Sequence, residues 1–178
     1  FLMFNYSNPQ YYFMDGGYVY IESSNIFVPT FYEEFRSGSA RSKATQAMKN
    51  QITSCESAIA AAGSAEQKAK VAHDYIVKKV EYDDNYLTNP ENPFHQSAYS
   101  VFCDDHSVCA GYTKAFEMLM NGAGIDTIAL LSTDHAWNMI KINDSWYHMD
   151  CTWDDMDGYS GYEMIYNFFN RSESVIRS

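Results

Sequence analysis

Three residue types in one order suggest thiol acyl chemistry: Cys109, then His135, then Asp150. The cysteine lies in Ser107-Val108-Cys109-Ala110-Gly111-Tyr112, which opens into Thr113 to Leu119 and reads as a loop turning into a helix. Ser107 is the expected N-cap and Asn121-Gly122 the expected stop. A thiol in a first helical turn meets unpaired N–H groups and the positive end of the helix dipole. Both favour the thiolate, which is the nucleophile. Asp104 and Asp105 would oppose that shift if they stood close in space. Steps of three and four from Cys109 pass through Tyr112, Phe116, Leu119 and Met120, so the thiol points along an apolar face. A free cysteine on such a face is commonly a small buried residue. A base elsewhere in the chain decides between the two readings.

That base is expected on a hairpin. Thr127 to Ser132 reads as a buried strand, followed by His135 to Ile142, a turn at Asn143-Asp144, and Ser145 to Asp150. A two-residue turn pairs Ile142 with Ser145 and sets Asp150 opposite Trp137. His135 and Asp150 are then diagonal neighbours on one face, about 7–8 Å apart at the backbone and within side-chain reach. A three-residue turn would put them on opposite faces. In the chemistry this implies, Cys109 attacks a carbonyl and His135 moves the proton. Asp150 holds the imidazole tautomer. An oxyanion hole needs a donor beside the Cys109 N–H, and Gln96, Tyr82 and Tyr99 are the candidates.

Other elements must carry these groups. Tyr11–Met14 and Tyr18–Ile21 read as short strands around a turn at Asp15-Gly16-Gly17. Ser37 to Ala62 reads as a helix whose stripe is Ala44, Met48, Ile52, Cys55 and Ile59. Gly63 breaks it. Ser64 and Gln67 form a capping-box pattern for a second helix, with Ala69, Ala72, Ile76 and Val80 inward and His73 read as a surface or packing residue. Asp83 to Pro93 is a loop.

Composition bounds the rest. The 178 residues, 46% hydrophobic and 16% aromatic, argue for a packed core and against disorder. We expect one domain over 1–178, with a lead-in over 1–63 and the catalytic core over 64–178. A net charge of −11 disfavours nucleic acid and anionic membrane surfaces, and no apolar run is long enough to insert in a bilayer. Four cysteines are too few for a disulfide scaffold, and pairing among Cys55, Cys103 and Cys151 is not assignable. The chain starts at Phe1, which reads as a mature or truncated start from which a signal peptide or further domains could have been removed.

Val108-Cys109-Ala110-Gly111-Tyr112, His135-Ala136-Trp137-Asn138 and Trp146-Tyr147-His148-Met149-Asp150-Cys151-Thr152-Trp153 together resemble the transglutaminase-like superfamily, in its bacterial branch. The resemblance covers roughly residues 65–170, including His73-Asp74-Tyr75-Ile76 and Tyr82-Asp83, and is weaker over the first 60. Cys151 stands where an apolar residue or proline is usual, and Asp134 where glycine is common. The resemblance implies a papain-like α+β fold, with the cysteine helix packed on an antiparallel sheet and extra helices at the N-terminal side. It implies thioester chemistry on protein or peptide amides, with water or an amine as acceptor; no cofactor is expected, although some transglutaminases need calcium. Trp137 and Trp153 would wall the acyl groove or pack in the core. A bacterial extracellular or cell-surface setting is the expected one.

Three rivals stand beside it. Cys103, His106 and Cys109 have a spacing that could hold a metal with His148 or Cys151, at the cost of the helix-start thiol. Asp154-Asp155-Met156-Asp157-Gly158 invites calcium but lacks the alternation of an EF-hand loop. A non-catalytic module binding peptide or glycan would leave the three-residue set without a use. Oligomeric state is not legible.

Overall fold

The computed structural model describes residues 2–156 and 164–176. Its centre is α5 (Cys109–Gly122), in which Ala110 to Glu117, Leu119 and Met120 are all buried. A helix apolar nearly all round has to be enclosed on every side, and here three layers enclose it. Helices α3 (Ala65–Val77) and α4 (Ala98–Cys103) pack on one side, with α2 (Gly38–Ala61) laid against both of them. The antiparallel sheet β5 (Thr127–Leu131), β6 (Ala136–Ile142) and β7 (Ser145–Met149) packs on another, in the order β5-β6-β7. The single turn α6 (Cys151–Asp154) packs against both α3 and α5.

The long helices follow their periodicity. Ser37 caps α2, and its buried residues are Ala44, Met48, Ile52, Cys55 and Ile59. Ser64 and Gln67 form the expected capping box on α3. The β6–β7 turn has two residues, and its pairs run from Ile142↔Ser145 to Asn138↔Met149, the register that the short loop requires. Asn143 and Asp144 take the positive φ values that such a turn demands (48° and 63°). Strand β5 is less buried than an apolar run suggests: only Thr127 is enclosed, because β5 is the sheet edge.

Two local expectations are corrected. Asp15-Gly16-Gly17 is not the hairpin turn. It is a bulge inside the long strand β1 (Met14–Ile21), which pairs with β2 (Ile26–Phe31). The Asp15 carboxylate accepts Gly17 N–H, and Gly16 supplies the φ of +85° that the bulge needs. Likewise, Ser107 does not cap α5. Its hydroxyl donates to His95 O at 2.9 Å and accepts from Ser100 Oγ at 2.7 Å, inside the core. Val108 is the N-cap residue, without a side-chain cap bond.

A parallel pair of two-residue strands, β3 (Glu81–Tyr82) and β4 (His106–Ser107), sets Tyr82 beside the entry to α5. A short helix, α1 (Leu2–Tyr6), lies over the same entry, and a last turn, α7 (Glu173–Ile176), approaches β7. All four cysteines are free, and no helix among the described residues is long and apolar enough to cross a membrane.

Candidate active site

Cys109 is the first residue of α5, partly exposed. Its placement depends on Gly111. A Cβ there would stand 3.0 Å from both His95 O and Ser97 O and would collide with Ser107 Oγ, so only glycine lets the helix start dock on that loop. Tyr112, the next residue, is buried, and its hydroxyl donates to Val80 O at 3.1 Å and meets the Asp155 carboxylate at 2.5 Å. Asn138 on β6 donates to Thr113 O at 3.1 Å, so the sheet is bolted to the cysteine helix.

His135 ends the connection between β5 and β6. Its carbonyl accepts Ser132 N–H at 2.9 Å, closing a tight turn just before the strand. Its Nε2 lies 2.6 Å from Asp150 Oδ2. The other carboxylate oxygen of Asp150 accepts Thr152 N–H at 3.0 Å and Trp153 N–H at 3.1 Å, which makes Asp150 the N-cap of α6. One carboxylate therefore orients the ring with one oxygen and starts a helical turn with the other. With Nε2 engaged, Nδ1 is the ring nitrogen left to exchange a proton with the thiol. Burial disfavours the imidazolium, yet the Asp150 bond and the neighbouring Cys109 outweigh it and raise the His135 pKa to about 9. The rings of Trp153 (4.6 Å, 8° between planes) and Trp137 (5.7 Å, 14°) stack on the imidazole, an aromatic setting that also suits a cation.

Two clefts meet at Ser132, Asp134 and His135. One, of about 250 Å³, holds Cys109 and is lined by Tyr6, Tyr82, Tyr86 and Gln96 among others. The second, of about 300 Å³, contains Asp150, Trp137, Trp153, His148 and Phe168. The sequence candidates divide between them. Gln96 and Tyr82 stand in the cysteine cleft. Burial and the nearby Cys109 hold the Tyr82 hydroxyl up at about 12, so it stays a proton donor. Tyr99 is elsewhere. Its ring packs among Tyr12, Phe35 and Phe94. Its position on α4 faces the N-terminal aromatic cluster, so it is not a cleft residue. Trp137 and Trp153 do not wall the cysteine cleft. They flank the histidine and line the other one. Trp137 Nε1 donates to His148 Nδ1 at 3.0 Å, and His148 Nε2 reaches Glu173 at 2.7 Å.

The metal spacing is not assembled. Cys103 stays on α4, His106 faces Glu81 at 3.7 Å and Cys151 is buried in the core. Among the described residues no three His, Cys, Asp or Glu side chains gather as a metal group. Of the acidic run, Asp154 bonds His73 Nε2 at 3.2 Å and Phe168 N at 2.8 Å, and Asp155 bonds Tyr112. Asp157 and Gly158 lie outside the described residues.

Several neighbours of the site were not anticipated. His73 is fully buried, between Asp74 at 3.1 Å and Asp154 at 3.2 Å, and its pairing with Asp154 ties α3 to the turn that Asp150 caps. Tyr6 and Tyr86 line the Cys109 cleft, and the buried Lys114 stands behind Tyr6 and Gln96. The signal for Lys114 was present: a helix without a polar face buries its charged residues too.

A helix-borne thiol, a histidine at the start of a sheet strand and a carboxylate behind it are brought together on an α+β scaffold. The sequence model of the transglutaminase-like superfamily matches residues 46–151, so the chain belongs to that superfamily. The match starts inside α2 and ends one residue past Asp150. Among solved structures, the chain is similar to a crystal structure of a TGase, at 13% identity and a TM-score of 0.54. That alignment covers 75% of this chain and 36% of the other, so the chain spans about a third of that protein. No curated protein matches the sequence.

Proposed function

We propose that the protein is a cysteine acyl-transfer enzyme acting on protein or peptide amides, with Cys109 as nucleophile, His135 as general base and acid, and Asp150 as orienting carboxylate. The single observation that carries this reading is the 2.6 Å bond from His135 Nε2 to Asp150, which leaves Nδ1 toward a cleft containing the thiol of a helix's first residue.

The thiol proton passes to Nδ1, and the sulfur adds to the amide carbon. The imidazolium then protonates the leaving amine, and a thioester remains. Water or a second amine gives its proton to His135, attacks the thioester and returns the thiol. The developing oxyanion would be met by the Cys109 N–H, which has no intrahelical acceptor, and by the Gln96 amide or the Tyr82 hydroxyl. Superfamily membership supports the chemistry and leaves the acceptor open. The expected substrate is a peptide or protein, and the expected setting is a bacterial surface or exterior.

Incubation with a glutamine peptide, with and without a labelled primary amine, tests the proposal. Amine incorporation identifies a transferase, ammonia release alone a deamidase, and chain cleavage a peptidase. Absence of all three, with Cys109 no more reactive than the other thiols, would refute it.

A further inference from the structure

Lys114 is five residues beyond Cys109 on α5, and it is only 7% exposed. Its ammonium donates hydrogen bonds to neutral oxygens, Asn5 Oδ1 at 2.5 Å and Gln96 O at 3.0 Å. The Tyr6 ring lies beneath it, 4.6 Å from Nζ to the centroid. The buried Glu117 carboxyl one turn on attracts the ammonium but makes no contact ion pair, so burying this cation is costly, and an apolar side chain would fill the helix position at lower cost. What the ammonium provides is a joint between α5, the Gln96 segment and α1.

Helix α1 needs such a joint. Its Leu2 and Met3 are exposed (58% and 66%) and contribute little burial. Its enclosed residues are Asn5 and Tyr6, the two that touch Lys114. Tyr6 packs with Val108, Ala110 and Ala136, around the cysteine and beside the histidine, and lines the cleft with Leu2 and Gln96. Burial and the adjacent Cys109 push its hydroxyl pKa up to about 12. Helix α1 lies outside the matched superfamily region of 46–151, whereas Gln96 and Lys114 lie within it.

We propose that α1 is a substrate-selecting wall of the cysteine cleft, and that Lys114 is the positioning residue that locks that wall and the Gln96 segment in place. The inference rests on Cys109 being the reacting group. With the wall locked, a slender acyl side chain reaches the sulfur and a bulky one is excluded.

The test reads access to the sulfur and needs no turnover. The intact chain is alkylated with iodoacetamide or with its fluorescein conjugate, and peptide mapping gives the rate at Cys109 for each. The quantity read is the ratio of the bulky rate to the small one. Lys114→Met is the obvious variant but loses core packing around a buried site, so Asn5 carries the test and a thermal melt checks each variant. Asn5→Ala removes a bond to a charged donor and should raise the ratio about tenfold. Tyr6→Ala should raise it as well. Asn5→Asp gives Lys114 a charged acceptor and should lower the ratio below that of the unaltered chain. Movement in opposite directions for two substitutions at one position is not what a purely structural role produces. An equal ratio in the unaltered, Asn5→Ala and Asn5→Asp chains overturns the inference. If the ratio moves as expected while the glutamine peptide gives none of the three products and Cys109 is no more reactive than the other thiols, the wall around the sulfur stands and the catalytic reading falls. If turnover occurs and the ratio does not move, the reverse holds.

Discussion

Asp150→Asn is the sharpest perturbation of the site, because the carboxylate has two separate tasks. One oxygen bonds His135 Nε2 at 2.6 Å, and the other accepts Thr152 N–H and Trp153 N–H at 3.0 and 3.1 Å. An amide has one acceptor oxygen and one NH2, so it can serve one side only. If the oxygen keeps the cap, the NH2 faces Nε2 and forces the imidazole into the tautomer with Nδ1 protonated. That ring cannot accept the thiol proton. The lost charge-assisted bond is worth about 1.5–3 kcal/mol, so the imidazolium should be about ten- to 150-fold less favoured, and the pKa of about 9 should fall by about one to two units. If the oxygen turns to the histidine instead, reactivity persists and the helix cap is lost, at about 1 kcal/mol of stability. Two assays on one sample separate the outcomes: the iodoacetamide rate at Cys109 against pH, and urea unfolding. A variant matching the unaltered chain in both would refute the division of labour, since one amide oxygen cannot do the work of two.

Further outcomes are expected. Gly111→Ala should destabilise the fold by about 1–3 kcal/mol in urea unfolding, because the added Cβ meets two backbone carbonyls at 3.0 Å that cannot move cheaply. Burial raises the Glu117 carboxyl to about 7 against the opposing pull of Lys114, and its Oε2 has no hydrogen-bond partner. Its ionised form costs stability as pH rises from the ordinary carboxylate value to 7, so Glu117→Gln should be about 1–3 kcal/mol more stable above pH 7, an advantage that disappears near pH 4. His135 has the opposite sign. Its folded pKa of about 9 exceeds the ordinary 6.5, so its contribution, about 2–3 kcal/mol, is complete below pH 6.5 and lost as pH rises through 9. In His135→Ala that slope in unfolding free energy should vanish. A slope that persists would assign it to another group.

Where the sequence was legible, the controlling physics was local. Helix α2 buries the five residues at its apolar spacing, because a 3.6-residue turn fixes which side chains share a face. The capping box on α3 involves residues three apart. The hairpin pairing follows from a two-residue turn, and the turn places Asp150 on the histidine's face before any packing is known. Readings failed where a distant segment made the choice. Asp15-Gly16-Gly17 suits a turn and a bulge equally, and pairing with β2 selected the bulge. Ser107 could cap a helix, but His95 O and Ser100 compete for its hydroxyl. Tyr99 is near Cys109 in the chain, and the N-terminal aromatics draw it away.

The order and types of Cys109, His135 and Asp150, the helix start that carries the thiol and the strand register behind it were written in the sequence, since each depends on neighbours within a turn or a hairpin. The walls of the cleft were not. Tyr6 reaches the site through a lysine 108 positions away in numbering from it, and Asn5 through the same lysine across 109. His73 meets Asp154 across 81. Contacts at such separations depend on how whole elements stack, and no local pattern of residues encodes that stacking.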